Sequence, residues 1–159
     1  MNIRPFSLEL LKELKESFEL VIFTASHSSY ANKVIDYLDP QKNLIKHRLF
    51  REHCMVTEQG IFIKDLRIFG DRKLENIILV DNALYSFAYQ IENGVPIIPF
   101  YDNKQDKELL SLKIYLEGLN YTKDCREINK KTFKFRQYDK FDNIEDLLGC
   151  LFQGLDFDI

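Results

Sequence analysis

Residues 61–82, IFIKDLRIFGDRKLENIILVDN, decide how the rest of the chain is read. They hold an isolated lysine, Lys64, then a turn. Four branched apolar residues in a row follow at 77–80, closed by Asp81-Asn82. A short apolar run ended by polar groups is the pattern of a parallel strand covered on both faces. In open α/β sheets ligands sit beyond the carboxyl ends of such strands. Asp81 and Asn82 therefore stand where chemistry is usually done. An Asp-Asn pair is also a turn former, and the stretch alone leaves both readings open.

Upstream, residues 20–23 (LVIF) form a second short apolar run that ends in Thr24-Ala25-Ser26. Ser28 or Ser29 can cap a helix after it, with Ala31, Val34, Ile35 and Leu38 inward and Asp39-Pro40 as the stop. Strand followed by helix favours a parallel sheet. Ahead of this unit, residues 7–18 read as an amphipathic helix. Ser7 is its expected N-cap, and Leu8, Leu11, Leu14 and Phe18 mark one face. Residues 47–64 alternate and contain Glu58-Gln59-Gly60, which predicts a β-hairpin or small antiparallel insert.

Downstream, residues 95–99 predict another strand. Asp106 is placed to cap a helix whose face is Leu109, Leu112, Leu116 and Leu119. Residues 132–141, TFKFRQYDKF, alternate and predict a strand or extended arm, and residues 143–155 predict a final amphipathic helix. The fold class expected is α/β: a parallel sheet flanked by helices, with a hairpin insert near 47–64.

The chain has 159 residues, enough for one domain with a real core. A net charge of −3 carries no polybasic footprint, so no nucleic-acid partner is expected. Cys54, Cys125 and Cys150 are odd in number and contain no Cys-x-x-Cys. They indicate neither a zinc site nor a disulfide framework, and the expected compartment is intracellular and reducing. No apolar run is long enough for a membrane span, and residues 1–14 lack a signal core.

Three strand tips then line up in the sequence. The first offers Thr24, Lys64 follows the hairpin, and the third offers Asp81 and Asn82. A hydroxyl and a lysine can hold phosphate oxygens. The hard oxygens of an Asp-Asn tip suit Mg²⁺, which keeps several of its waters.

At this point the chain resembles the haloacid-dehalogenase-like C-terminal-domain (CTD) phosphatases, in the small-phosphatase-like branch. The matching stretches are RP at 4–5, LVIFTAS at 20–26, YLDPQKNLIKHRLFREHC at 37–54, GIFIKDL at 60–66, IILVDN at 77–82, NGVPI at 93–97 and DKELLSL at 106–112. They cover the chain to about residue 126. Residues 1–126 are thus expected to be the phosphatase homology domain, and 127–159 an extension whose helix packs on it. The mitochondrial import-receptor branch, which binds presequences with the same fold, matches FTAS and DN less well.

The resemblance implies roles. Thr24 corresponds to the phosphate-binding threonine, and Lys64 to the lysine that neutralises a phosphoaspartate. Asn82 corresponds to a Mg²⁺ ligand with Asp81 beside it, and Arg51 to an arginine at the substrate groove. The plainer readings are a strand-end hydroxyl for Thr24, a solvated hairpin lysine for Lys64, and surface pairing of Arg51 with Glu52 or Glu58. His27 and His53 are read as structural or surface residues. His53 and Cys54, adjacent on an expected strand, would point to opposite faces and make no Cys/His nucleophile.

Family members begin the domain with a strand ending in Asp-x-Asp-x-Thr/Val, whose first Asp attacks phosphorus and whose second is the general acid and base. That strand would lie upstream of Arg4-Pro5, and the sequence begins at Met1. Its Asp-x-Asp is confined to Asp156-Phe157-Asp158, after a helix. The expectation is therefore a chain without its central first strand. It would be catalytically inactive as given, with weak or no Mg²⁺ binding, and act as a binding or structural subunit. A protein partner would complete the sheet. The alternative is a Mg²⁺-dependent serine/threonine phosphatase whose first strand lies outside this sequence or comes from another chain, acting on a phosphoprotein tail.

Overall fold

The computed structural model describes residues 2–153, so Asp156 to Asp158 and Leu155 lie outside the described residues. The chain divides into two compact units, residues 1–54 with 98–122 and residues 55–97 with 123–159. Among the described residues no helix is long and apolar enough to cross a membrane.

The first unit is built on a β-α-β turn. Strand β1 (Leu20–Phe23) runs parallel to β2 (Ile45–Leu49), with Val21 opposite His47 and Phe23 opposite Leu49. Helix α2 (Ser28–Leu38) connects them and buries Ala31 and Ile35 against Leu44 and Ile45. His27, not a serine, occupies the N-cap of α2, without a side-chain capping bond. The predicted hairpin over 47–64 is thus wrong in its first half, because residues 45–49 join β1 as a parallel strand.

Asp39 explains how the chain turns from α2 into β2. Only 1 % exposed, its carboxylate accepts hydrogen bonds from the backbone N–H groups of Asn43 (2.9 Å), Leu44 (3.0 Å) and Ile45 (3.0 Å). Burial disfavours its charge, but those three donors outweigh burial and hold the carboxyl below its ordinary value.

Helix α1 (Ser7–Leu14) follows Phe6, which adopts the left-handed region at φ 66°. Ser7 does not cap it as predicted, because its hydroxyl donates to the Arg4 carbonyl at 2.7 Å. Arg4 grips Asp106 through both oxygens (2.7 and 2.9 Å) and donates to the Ile98 carbonyl at 2.7 Å. Asp106 also accepts from the Glu108 N–H at 3.1 Å, at the start of α3 (Glu108–Leu119). The predicted face of α3, Leu109, Leu112, Leu116 and Leu119, is buried. Lys113 of α3 pairs with Glu13 of α1.

In the second unit the hairpin is short. Strand β3 (Met55–Val56) pairs antiparallel with β4 (Phe62–Ile63), and Gly60 turns the chain at φ 79°. Strand β5 (Leu79–Asp81) runs parallel to β6 (Gly94–Pro96). The expected strand over 77–80 starts two residues later. The Ile77 carbonyl is taken by the side-chain amide of buried Asn93 (2.7 Å) and by the Cys125 thiol (3.2 Å). The strand extends one residue further, since the Asp81 backbone carbonyl still accepts from Ile97 N–H at 3.0 Å. Gly94 is dictated by packing, because a Cβ there would lie 2.3 Å from the Phe87 ring.

Residues 84–93, a kinked 3-10 segment, touch β4, β5, β6, α4 (Cys125–Thr132) and α5 (Ile144–Gln153). The predicted strand or arm over 132–141 is not one. Residues up to Thr132 complete α4, Lys134 turns left-handed at φ 56°, and residues 135–138 form a 3-10 turn. The alternating phenylalanines reflect that reversal. Phe133 packs against the buried cluster of Leu66, Leu79, Phe87 and Phe135. Helix α5 is the predicted final helix, with Leu147, Leu148 and Leu151 packed on Ile63 and Ala88. The described strands form three two-stranded sheets.

Asp39→Asn is expected to lower unfolding free energy by about 2–4 kcal/mol, since buried N–H groups lose a charged acceptor. A carboxyl depressed on folding stabilises above its unfolded value of about 3.9, and that contribution is lost as pH falls through the folded value. Urea titrations from pH 7 down to pH 3 should therefore show a shallower acid decline in Asp39→Asn than in the parent.

Candidate functional site

The first unit places Thr24, Ala25, Ser26 and His27 just beyond β1, where the chain crosses to α2. A ladder of contacts ties them to residues 49–54. Thr24 N–H donates to the Leu49 carbonyl (2.9 Å), Arg51 N–H to the Ser26 carbonyl (3.1 Å), and Arg51 Nε to the Ala25 carbonyl (2.7 Å). Arg51 Nη1 reaches His27 Nε2 at 3.0 Å, and the Cys54 thiol faces the Thr24 carbonyl at 3.9 Å. The Thr24 hydroxyl accepts from Ser26 N–H at 3.1 Å. A hydroxyl that accepts still has its own proton to donate, so the plain strand-end role and a phosphate-binding role are compatible. Arg51 and Thr24 thus share one tip.

His53 and Cys54 are not on a strand, contrary to expectation. Residues 51–53 form a 3-10 turn in which His53 Nδ1 accepts from the Phe50 N–H at 3.0 Å. His53 therefore serves the turn that carries Arg51. His27 is exposed but engaged with Arg51, a contact that sequence reading missed because its two residues lie 24 positions apart.

The second unit gathers the other three residues. Lys64 directly follows β4, and its backbone N–H donates to the Ser86 carbonyl at 2.7 Å. Its ammonium pairs with Asp81 Oδ2. The two side chains are only 11 % and 9 % exposed, so the reading of Lys64 as a solvated hairpin lysine is corrected. Asp81 Oδ1 accepts from the Ala83 N–H at 2.8 Å, which shapes the turn after β5. One carboxylate thus neutralises the lysine and acts as the turn former. Asn82 is exposed beside it.

Two supporting residues went unassigned in the sequence. Asp65 accepts from Arg67 N–H (3.0 Å) and from Gln90 Nε2 (3.0 Å), while Gln90 Oε1 accepts from the Leu66 N–H at 2.9 Å. Burial pushes the Asp65 carboxyl up, but Arg67 and Gln90 outweigh it and hold the carboxyl below its ordinary value. This clamp fixes the chain immediately after Lys64. Asp65 stood in the quoted KDL motif, whereas Gln90 had no local signal.

For Mg²⁺ the donor set is incomplete. Each Asp81 oxygen already accepts one hydrogen bond, from Lys64 or from Ala83, and the Asn82 amide oxygen is the other hard side-chain donor at this tip. Among the described residues no group of three or more His, Cys, Asp or Glu is placed to hold a metal. These residues do not by themselves fit an octahedral ion that binds through carboxylates and phosphate.

The family model of NLI interacting factor-like phosphatase matches residues 1–126. Among curated proteins, "CTD small phosphatase-like protein 3" of Caenorhabditis elegans is 43% identical over 145 residues, which cover 91% of this chain and 50% of that protein. "CTD small phosphatase-like protein" of Homo sapiens is 41% identical over 121 residues, covering 76% and 43%. The chain thus spans half or less of the length of these relatives. Among solved structures, an arginine-to-alanine variant of the fission yeast RNA polymerase II CTD phosphatase Fcp1 bound to beryllium fluoride matches with a TM-score of 0.53. Its identity is 17%, over 96% of this chain and 46% of that one. That likeness shows a shared α/β fold.

Asp81→Ala is expected to cost about 3–5 kcal/mol, because it strands a buried ammonium. The double variant Lys64→Met, Asp81→Leu should regain most of that loss, and denaturant midpoints for the two proteins check it.

Proposed function

Because the chain belongs to the NLI interacting factor-like phosphatase family, we propose that its 159 residues carry a phosphate-recognising site of the CTD small phosphatase kind, which binds phosphorylated protein without hydrolysing it. The buried Lys64–Asp81 pair carries this reading. A lysine held in a low-dielectric place by one carboxylate is a poised counter-charge for a phosphate. On the tip of the first unit, taken by itself, the same reading gives Thr24 a hydroxyl to donate to phosphate oxygens and Arg51 a contact with a phosphorylated peptide. A phosphoserine segment of a disordered tail suits a cationic recognition site of this type.

The sequence supports the second half of the proposal. An aspartyl-phosphate route needs a carboxylate nucleophile beyond a strand, and Asp-x-Asp occurs only at residues 156–158. Mg²⁺ would likewise need anionic ligands beyond Asp81 and Asn82. Within the described residues β1 pairs only with β2, and β5 only with β6. An added strand from a protein partner can extend either pair by main-chain hydrogen bonding. Three cysteines without a disulfide suit a reducing compartment.

One observation favours a second reading, an active Mg²⁺-dependent serine/threonine phosphatase completed by an Asp-x-Asp strand from elsewhere. A buried ion pair is a weak source of stability, so the burial of Lys64 with Asp81 suits a site that serves a reaction.

Phosphate release from a phosphoserine peptide with Mg²⁺ separates the two. The 159-residue chain should release none above buffer, yet bind the peptide by fluorescence anisotropy. Thr24→Val should weaken that binding by about tenfold, the value of one hydrogen bond to a charged group. Release that disappears in Lys64→Met would establish the second reading instead.

A further inference from the structure

We infer that the outer face of α3 is a self-association surface, on which two copies of this chain pair their α3 helices antiparallel about a two-fold axis at Ile114. Helix α3 carries two apolar stripes. The leucines at 109, 112, 116 and 119 are buried. On the opposite side Leu110, Ile114 and Tyr121 are 39 %, 72 % and 89 % exposed. Lys107, Leu110, Ile114, Glu117 and Tyr121 follow one another at steps of three, four, three and four residues, and all five are exposed. The helical turn carries the row past Leu119, since Tyr121 N–H donates to the Gly118 carbonyl at 3.3 Å. A single surface leucine needs no explanation. A row at this spacing is the seam of a helix–helix contact.

Gly118 stands beside that row, and its own unit gives no reason for a glycine. A Cβ there would meet no heavy atom within 4 Å, and the backbone is ordinary helix. Glycine inside a helix costs about 1 kcal/mol against alanine. What it supplies on an open face is room for a close neighbour. The row also complements itself. With Ile114 of one copy against Ile114 of the other, antiparallel helices set Leu110 over the notch at Gly118, each four residues from the axis. Lys107 then falls opposite Tyr121 and one turn from Glu117, so a cation meets an aromatic face and a carboxylate. Glu117 reaches Lys113 of its own helix at 3.8 Å with half its side chain exposed (51%), which leaves it open to a second cation. A two-fold contact of this kind uses one patch twice and closes on itself. One helix a side is a small interface, at or below the about 1,200 Å² of stable complexes, so association should be weak and concentration-dependent.

Sedimentation equilibrium of the 159-residue chain, from micromolar to submillimolar loading, is the test. The expected result is a monomer–dimer equilibrium. Ile114→Glu, which sets two carboxylates together on the axis, should weaken it by about tenfold or more. Lys107→Glu should weaken it about fivefold, and the double variant Lys107→Glu, Glu117→Lys should return to within about twofold of the parent, because the charges are exchanged across the two-fold. Gly118→Gln should raise the thermal midpoint of the dilute monomer, through better helix propensity, yet weaken the dimer about tenfold by filling the notch. A chain that stays monomeric at every loading overturns the inference. So does a dimer indifferent to Ile114→Glu, a charge exchange that fails to restore pairing, a Gly118→Gln dimer as tight as the parent, or association that continues past two copies.

Discussion

A lysine ammonium carried to where a tenth of its side chain meets water needs an anion beside it, and in this protein that anion is Asp81. The pair joins the ends of two strands that are 17 positions apart in sequence. Much of the second unit is arranged to bring those ends together. The Ser86 carbonyl receives the Lys64 N–H, the Asp65–Gln90 clamp fixes the residues just after it, and the Asp81 carboxylate holds the turn that opens residues 84–93. That kinked segment then packs against β4, β5, β6, α4 and α5. Its irregular backbone at Phe87 and Gln90 lets one side chain enter the core while the other serves the clamp.

The first unit solves its turns with charge as well. Asp39 gathers three backbone donors between α2 and β2, and the Arg4–Asp106 fork ties the N-terminal segment to the start of α3. Carboxylates accept several N–H groups at once, so each replaces a longer loop of backbone pairing. At the tip of β1 the same role passes to an arginine. Arg51 binds a carbonyl with Nε and an imidazole with Nη1, and residues 24–27 are thereby fastened to the turn over 51–53. The site residues are extensions of the fold's own polar joints. This is why Thr24, Lys64 and Asp81 each do a structural job as well as the one proposed for them.

Where sequence reading erred, a long-range contact had overridden a local pattern. The alternation over 47–64 predicts a hairpin, yet its first residues belong to a strand, 45–49, that pairs with β1 across a helix. Residues 132–141 alternate because Phe133 and Phe135 both enter one core across a left-handed Lys134, not because the chain is extended. The strand before Asp81 starts late because Asn93 and Cys125 claim the Ile77 carbonyl. Ser7, Ser28 and Ser29 are good caps by type. The cap positions are held instead by Phe6 and His27, neither with a side-chain capping bond.

The sequence by itself determined the α/β class, the strand-then-helix unit at 20–38, the buried leucine face of α3, the final amphipathic helix, and the family. Each is written in periodicity, in short apolar runs with polar ends, or in motifs that span few residues. Tertiary structure alone decided that Lys64 is buried against Asp81, that Gln90 supports it through Asp65, and that His27 meets Arg51. Charge pairing and hydrogen bonding depend on distance in space, and the residues of these contacts are separated by 17 to 25 positions along the chain.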